Sequence, residues 1–129
     1  MLKTGILNPQ INSLLSLVRH TNTLVIADRG FPFWPMIETV DISLVDDVPT
    51  VLQVLAAIRQ SFNIGQAWMA REFLQHNQRQ VRKAFAEALN GIRLQHESHV
   101  VFRKRVPRAI GLIRTGDTIQ YANLILESA

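Results

Sequence analysis

The sequence predicts a single-domain α/β fold, a layered α/β/α sandwich built around a mixed, mainly parallel sheet. The 129 residues leave room for only one hydrophobic core. Short apolar runs rich in strand formers alternate with segments that repeat apolar residues at helical spacing. No internal repeat, linker or low-complexity segment interrupts this alternation, so we expect one domain over residues 1–129.

The first half of the chain opens with a helix, and a buried strand follows it. Pro9 suits a first helical turn with Asn8 as its cap, and apolar residues keep helical spacing over Gln10–Arg19. Thr23–Ala27 is a compact apolar run, typical of a strand covered on both faces. The other elements predicted here are a loop over Arg29–Met36, a strand over Thr39–Leu44 and a turn or helix start at Asp46-Asp47. A helix with Pro49 in its first turn and an apolar face that begins at Val51 is then predicted to end near Gln60.

The second half is predicted to add one long helix and four strands. Asn77–Asn90 repeats apolar residues along one face, and Asn90-Gly91 is a typical helix stop. Arg71–Leu74 fits either a strand end or a helix. The predicted strands are Gln66–Met69, Ser98–Phe102, Ala109–Ile113 and Leu124–Leu126.

Composition excludes several classes of protein. The chain has no cysteine, which excludes disulfide frameworks, thiolate zinc sites and cysteine nucleophiles. No apolar run approaches the roughly 18 residues of a membrane span, and the first residues lack the pattern of a secretory signal, so we expect a cytoplasmic protein with no membrane partner. The net charge of +4 comes from basic residues spread over several segments. This spread favours solvated faces with a local anion site over a nucleic-acid groove.

Common catalytic motifs are also missing from the chain. The four histidines form no metal-ligand spacing, and His96 and His99 are better explained as a surface pair. The six glycines are scattered, so no phosphate-binding loop is present. No serine lies in the GxSxG turn of a hydrolase.

Polar residues near the predicted strand ends are the remaining candidates for chemistry. Ligands of open α/β sheets bind at the carboxyl ends of strands, where Asp28 lies, and His20 is close enough in sequence to return to the same neighbourhood. Tyr121 and Asn123 precede the last predicted strand. Three of these candidates also have a structural explanation: a helix cap for His20, an Asx turn for Asp28 and a buried ring for Tyr121. Taken singly, the structural roles are favoured.

Three segments of the chain resemble the ribose pyranase and fucose mutarotase (RbsD/FucU-like) family. They are the opening KTGILNPQI with RHTNTLVIADRGFP, the middle VDISLVDDVPTVLQVLAAI, and the closing IRTGDTIQYANLIL. Their order and separations match the family over nearly the whole chain. The Tyr-Ala-Asn of the closing segment is more similar to the ribose branch than to the fucose branch.

The resemblance implies a sugar isomerase without a cofactor, which interconverts cyclic forms of a free monosaccharide such as D-ribose or L-fucose. It also implies a homo-oligomer, a decameric or octameric ring with pockets near the subunit boundaries. The residue matching His20 is the family's proposed acid–base catalyst, and those matching Asp28, Tyr121, Ala122 and Asn123 contact the sugar. An imidazole suits this chemistry, because it can accept or donate a proton near neutral pH.

Two departures from the family pattern lead to further expectations. The predicted strand over Ser98–Phe102 contains His99, so we expect the short helix of the ribose branch to be deleted and its second histidine to be missing. Arg103, Lys104 or Arg105 is then expected to supply a donor to the sugar instead. Arg29 places a cation beside Asp28, and together these cations raise an anionic sugar as an alternative substrate.

Two other functions remain open on the sequence alone. A non-catalytic monosaccharide-binding or regulatory protein would keep the pocket without turnover. A basic scaffold that binds nucleic acid is the least favoured. Phe33 and Trp34 are expected either to anchor a subunit interface or to cover the mouth of the pocket.

Overall fold

The computed structural model describes all 129 residues, with six strands, five α-helices and one 3₁₀ turn. No helix combines the length and apolar character that a membrane crossing requires. In chain order the elements are α1 (Pro9–Leu17), β1 (Thr23–Ala27), β2 (Glu38–Asp41), α2 (Val51–Arg59), β3 (Ile64–Ala70), α3 (Arg71–His76), α4 (Arg79–Ala88), β4 (Arg93–Glu97), α5 (His99–Arg105), the 3₁₀ turn (Val106–Arg108), β5 (Gly111–Arg114) and β6 (Leu124–Ser128).

The six strands form one sheet in the order β2-β5-β1-β6-β3-β4. Three neighbouring pairs are parallel, and β6 runs antiparallel to both β1 and β3. The predicted mixed, mainly parallel sheet is therefore confirmed. Because β6 runs opposite to its neighbours, its first residue lies at the same end of the sheet as the last residues of β1, β3 and β4. This end of the sheet brings together segments that are distant in sequence.

Alternation along the strands divides the core into two layers. Leu24 and Ile26 of β1 belong to a large cluster that also contains residues of α1, α2, α3 and α4. Val25 and Ala27 belong to a smaller cluster on the other face, with residues of α5 and the 3₁₀ turn. Each buried leucine or isoleucine contributes roughly 1.5–3 kcal/mol relative to an exposed one. The three-layer α/β/α arrangement follows from this pattern of burial.

Helix caps explain where the first two helices begin. The Asn8 side chain accepts the Ile11 N–H at 2.9 Å, as the sequence predicts. At α2, Thr50 and Gln53 form a reciprocal capping box. Pro49 precedes the cap residue Thr50 and lies outside the helix, so its predicted place in the first helical turn is wrong.

The largest difference between sequence and structure concerns residues 93–105. Arg93–Glu97 forms the edge strand β4, which was not predicted, because an edge strand carries polar side chains and lacks an apolar signal. The predicted strand over Ser98–Phe102 is wrong, since α5 occupies this segment. Ser98 caps α5 by accepting the Val101 N–H at 3.3 Å. Phe102 is buried against the sheet, whereas Val100 and Val101 are exposed.

Smaller differences affect other element boundaries. The strand predicted at Thr39–Leu44 ends at Asp41, and β3 begins two residues before Gln66. The ambiguous segment Arg71–Leu74 belongs to a helix. The helix predicted over Asn77–Asn90 is shorter at both ends.

Gly116 is a position where a side chain would be costly. A β-carbon there would contact the Val45 carbonyl oxygen and lie 2.8 Å from the Val48 carbonyl oxygen. Because backbone atoms cannot move aside cheaply, we expect Gly116→Ala to lower the free energy of unfolding by about 1–3 kcal/mol in urea denaturation. Gly65→Ala is the control, because its β-carbon would meet Ala129 at an ordinary 3.4 Å. Equal losses in both variants would contradict this expectation.

Candidate active site

A cavity of about 330 Å³ opens at the end of the sheet where β1 ends and β6 begins. This volume lies at the lower end of the range of about 300–1,000 Å³ for small-molecule sites. Its lining combines a carboxylate, an imidazole, a phenol and two amides, which suits a small hydroxylated ligand. The lining residues are Asp28, Gly30, Phe31, Pro32, His99, Gln120, Tyr121 and Asn123.

Asp28 makes a structural hydrogen bond and also lines the cavity. Its Oδ1 accepts the Gly30 N–H at 3.0 Å in an Asx turn, and its backbone N–H donates to Asn123 Oδ1 at 2.7 Å. Burial raises the pKa of Asp28 and the charge of Asp117 adds to this, whereas hydrogen bonds from Gly30 and Asn123 lower it. The structural and functional interpretations of this residue are therefore compatible.

The raised pKa of Asp28 predicts a specific change in stability. Because the ionised carboxyl is less favourable in the fold than in the unfolded chain, its ionisation lowers stability as pH rises through the folded pKa. Asp28→Asn keeps an oxygen for the Gly30 N–H and removes the ionisation. We expect the variant to be more stable than the wild type at pH 7 in denaturant unfolding.

The same comparison below the ordinary carboxyl pKa of 3.8 checks the sign. There Asp28 is neutral in both states, so the advantage of the variant should disappear. Asp46→Asn controls for the loss of one charge, because Asp46 is an exposed carboxylate outside the cavity. A difference between Asp28→Asn and wild type that is the same at both pH values would contradict the expectation.

His99 is held at the cavity by α5 and by the rings around it. Its backbone N–H lies 3.1 and 3.0 Å from the two carboxylate oxygens of Glu72. Its ring is edge-on to Tyr121 at 5.2 Å and stacks on Phe102 at 6.1 Å, between ring centroids. Nδ1 is buried without a hydrogen-bond partner, so Nε2 is the nitrogen that a ligand can reach.

Burial lowers the pKa of His99, and the positive charge of Arg103 lowers it further, whereas Glu72 and Asp28 act in the opposite direction. The imidazole is therefore neutral at pH 7, the form that accepts a proton. A neutral imidazole and a carboxyl whose pKa is raised line the same small cavity. Such a pair of groups is typical of a site for acid–base chemistry.

His99 is the site residue that the sequence reasoning missed. The expected loss of the second histidine and short helix is wrong, because β4 ends at Glu97 and α5 begins at His99. The error followed from the strand predicted over Ser98–Phe102. The available signal was Ser98, a preferred helix-cap residue directly before the histidine.

The structure places the Tyr-Ala-Asn segment at the cavity, but its three residues differ in what they expose. Tyr121 adopts a left-handed backbone with φ of 57°, and its ring lies between those of His76 and His99. The Ala122 side chain is fully buried and does not line the cavity. Asn123 is only 2% exposed and receives the Asp28 N–H.

His20 does not reach this cavity within one chain. It precedes β1, whereas Asp28 follows that strand, and the neighbouring Thr21 N–H donates to Ser128 at the far end of β6. At about 3.3 Å per residue, the six steps from Asn22 to Asp28 alone span roughly 20 Å. The expectation that His20 returns to the neighbourhood of Asp28 is therefore wrong for a single copy.

The helix-cap interpretation of His20 is not supported either. Arg19 caps the end of α1 instead, because its Nη1 donates to the carbonyl oxygens of Ser16 and Val18. The His20 side chain is exposed and makes no hydrogen bond. The next residue, Thr21, has a φ of 67°, which is a rare and costly conformation for a β-branched residue. Such strain is concentrated at functional sites.

The arginines expected near the sugar lie outside the cavity. Arg105 forms a two-point ion pair with Glu97 and lies over the Trp68 ring at 4.4 Å. Arg103 lies over Trp34, 5.7 Å from the ring centroid, beside a separate surface cavity of about 410 Å³. Arg29 pairs with the exposed Asp46 at 2.8 Å. The cations do not converge on the cavity, which removes the main support for an anionic sugar.

The fold and the cavity together define a small α/β protein with a polar site for a small ligand at strand ends. No three His, Asp or Glu side chains are close enough together to hold a metal ion. The family model described as the RbsD / FucU transport protein family matches residues 1–129. The chain belongs to this family, and the resemblance seen in the sequence is confirmed.

Individual relatives and solved structures agree with this assignment. D-ribose pyranase from Chromobacterium violaceum is 41% identical, over 99% of this chain and 97% of that protein. D-ribose pyranase from Geobacillus kaustophilus is 36% identical, over 99% and 93%. The structure of Bacillus subtilis RbsD with D-ribose matches with a TM-score of 0.93 and 29% identity, over 100% of this chain and 98% of that one.

Proposed function

We propose that this protein is a sugar isomerase of the pyranase or mutarotase type, which opens and recloses the ring of a free monosaccharide. The observation that carries the proposal is the small polar cavity in which Asp28 and His99 meet. Its relatives are named D-ribose pyranase, and the similar Bacillus subtilis structure contains D-ribose. D-ribose is therefore the first substrate to test.

Ring opening requires two proton transfers. A base removes the proton of the anomeric hydroxyl while the bond from C1 to the ring oxygen breaks, and an acid protonates that oxygen. The open-chain aldehyde then recloses through the same or another hydroxyl, and both groups return to their starting states. General acid–base assistance accelerates such a step by about 10²–10⁴-fold.

The cavity residues divide these tasks according to their chemistry. The neutral His99 imidazole accepts a proton through Nε2. Asp28 accepts hydrogen bonds from sugar hydroxyls, and the Tyr121 hydroxyl and the Asn123 amide select the hydroxyl pattern. Ala122 takes part only through its main chain, since its side chain is buried. Arg103 and Arg105 do not line this cavity, and Arg103 acts on it through its charge, which adds to burial in lowering the pKa of His99.

His20 completes the site as the second acid–base group only when another copy of the chain supplies it. The His20 ring is exposed, and the residue beside it, Thr21, has a strained backbone. Arg19, and not His20, donates hydrogen bonds to the end of α1. These features support a role for His20 outside its own copy of the chain. Several large apolar side chains are exposed and could be covered in a homo-oligomer, among them Phe33, Met36, Leu44, Val45 and Val100. The ring assembly and the cytoplasmic location remain predictions.

Saturation-transfer NMR on D-ribose tests the function. The protein should accelerate exchange between pyranose and furanose signals in proportion to its concentration, and L-fucose and an acidic sugar serve as comparison substrates. Line broadening without faster exchange would overturn the enzyme proposal and favour a non-catalytic sugar-binding protein. A monomeric mass in solution would overturn the shared site.

A further inference from the structure

We propose that α3 is the positioning element of this site, in which Glu72 fixes His99 and His76 fixes the ring of Tyr121. The inference rests on the proposed function, because it assigns α3 to the two ring-bearing groups of that cavity. Glu72 and His76 are four residues apart, a spacing that places both on one face of a helix. Phe73 anchors α3 in the core, where it is 1% exposed and packs on Phe85 at 4.7 Å between ring centroids.

Glu72 acts on His99 through the backbone and through charge. Its two carboxylate oxygens receive the N–H of the first residue of α5, so the start of that helix is tied to α3. The other groups that face His99 are Asp28 at the end of β1, Arg103 on α5 and the ring of Tyr121. Glu72 is therefore one of two negative charges that oppose the effects of burial and of Arg103.

His76 and the residue after it hold the segment that carries Tyr121. The His76 ring lies 5.3 Å from the Tyr121 ring at an angle of 35°. Asn77 donates through Nδ2 to the Gln120 carbonyl oxygen at 2.9 Å. This support fixes a tyrosine whose backbone is in the left-handed region. Neither Glu72 nor His76 lines the cavity, so both are positioning residues.

Glu72→Gln tests the first contact, because glutamine keeps an acceptor oxygen and removes the charge. The NMR titration of His99 should move to lower pH, and the acidic limb of kcat/KM should move with it. Arg103→Gln should move both in the opposite direction. Glu87→Gln is the matched control, since the Glu87 side chain is exposed on α4 and its only ion pair is with Lys83. It should change neither quantity.

Glu72→Ala removes both the charge and the acceptor, and we expect kcat to fall by up to about 10²-fold. His76→Ala should weaken sugar binding by up to about tenfold without moving the His99 titration, and His76→Phe should restore binding. An unmoved His99 titration in Glu72→Gln, or unchanged sugar affinity in His76→Ala, would overturn the inference. If wild-type protein accelerates no ring exchange, the proposed function fails, yet the His99 titration still tests Glu72.

Discussion

His20→Ala is expected to abolish the acceleration of sugar ring exchange and to leave D-ribose binding within about tenfold of the wild type. One acid–base group contributes about 10²–10⁴-fold to such a reaction, whereas the groups that line the cavity are unchanged. Exchange is measured by saturation-transfer NMR, and binding by line broadening of the sugar signals. Because the side chain is exposed and makes no hydrogen bond, the thermal unfolding midpoint should also stay near that of the wild type.

His96→Ala is the matched control for this substitution. His96 is a half-buried histidine of β4 that does not line the cavity, so its removal should leave exchange intact. Equal losses of exchange and binding in His20→Ala would instead make His20 a structural residue. Loss of exchange with retained binding is the pattern that an acid–base role requires.

The part of the fold that the sequence predicted correctly is local. Asn8 and Pro9 start α1, and the apolar run Thr23–Ala27 is a central strand with Asp28 at its end. These features follow from side chains within a few residues of each other. A buried strand with neighbours on both sides also has a continuous apolar run, which explains why its bounds were predicted without error.

The second histidine was missed because its helix depends on a distant partner. His99 begins α5, and Glu72, 27 positions earlier in the chain, accepts its N–H. The segment His99–Phe102 contains two valines, which favour a strand when considered alone. The cap from Ser98 and the contact with α3 together override this preference.

The place of His20 could not be predicted for a different reason. Closeness in sequence suggested one site with Asp28, but a five-residue strand separates the two residues in space. An extended segment carries its ends apart instead of returning them to one place. Within one copy His20 and the cavity lie at opposite ends of β1, which is why the proposed site takes His20 from a second copy.

Assemblies that mix His20→Ala and His99→Ala copies test the shared site most directly. Each variant alone lacks one acid–base group in every site and should be inactive. In randomly mixed assemblies, about one quarter of the boundaries pair an intact His99 cavity with an intact His20. Co-expression with two different affinity tags, followed by purification on both, yields such assemblies.

We expect ring exchange of D-ribose in the mixed assemblies to recover to about a quarter of the wild-type rate. This recovery requires that two copies contribute to one site, because neither copy carries both histidines. Mixed assemblies that bind D-ribose but exchange it no faster than the separate variants would contradict the shared acid–base site.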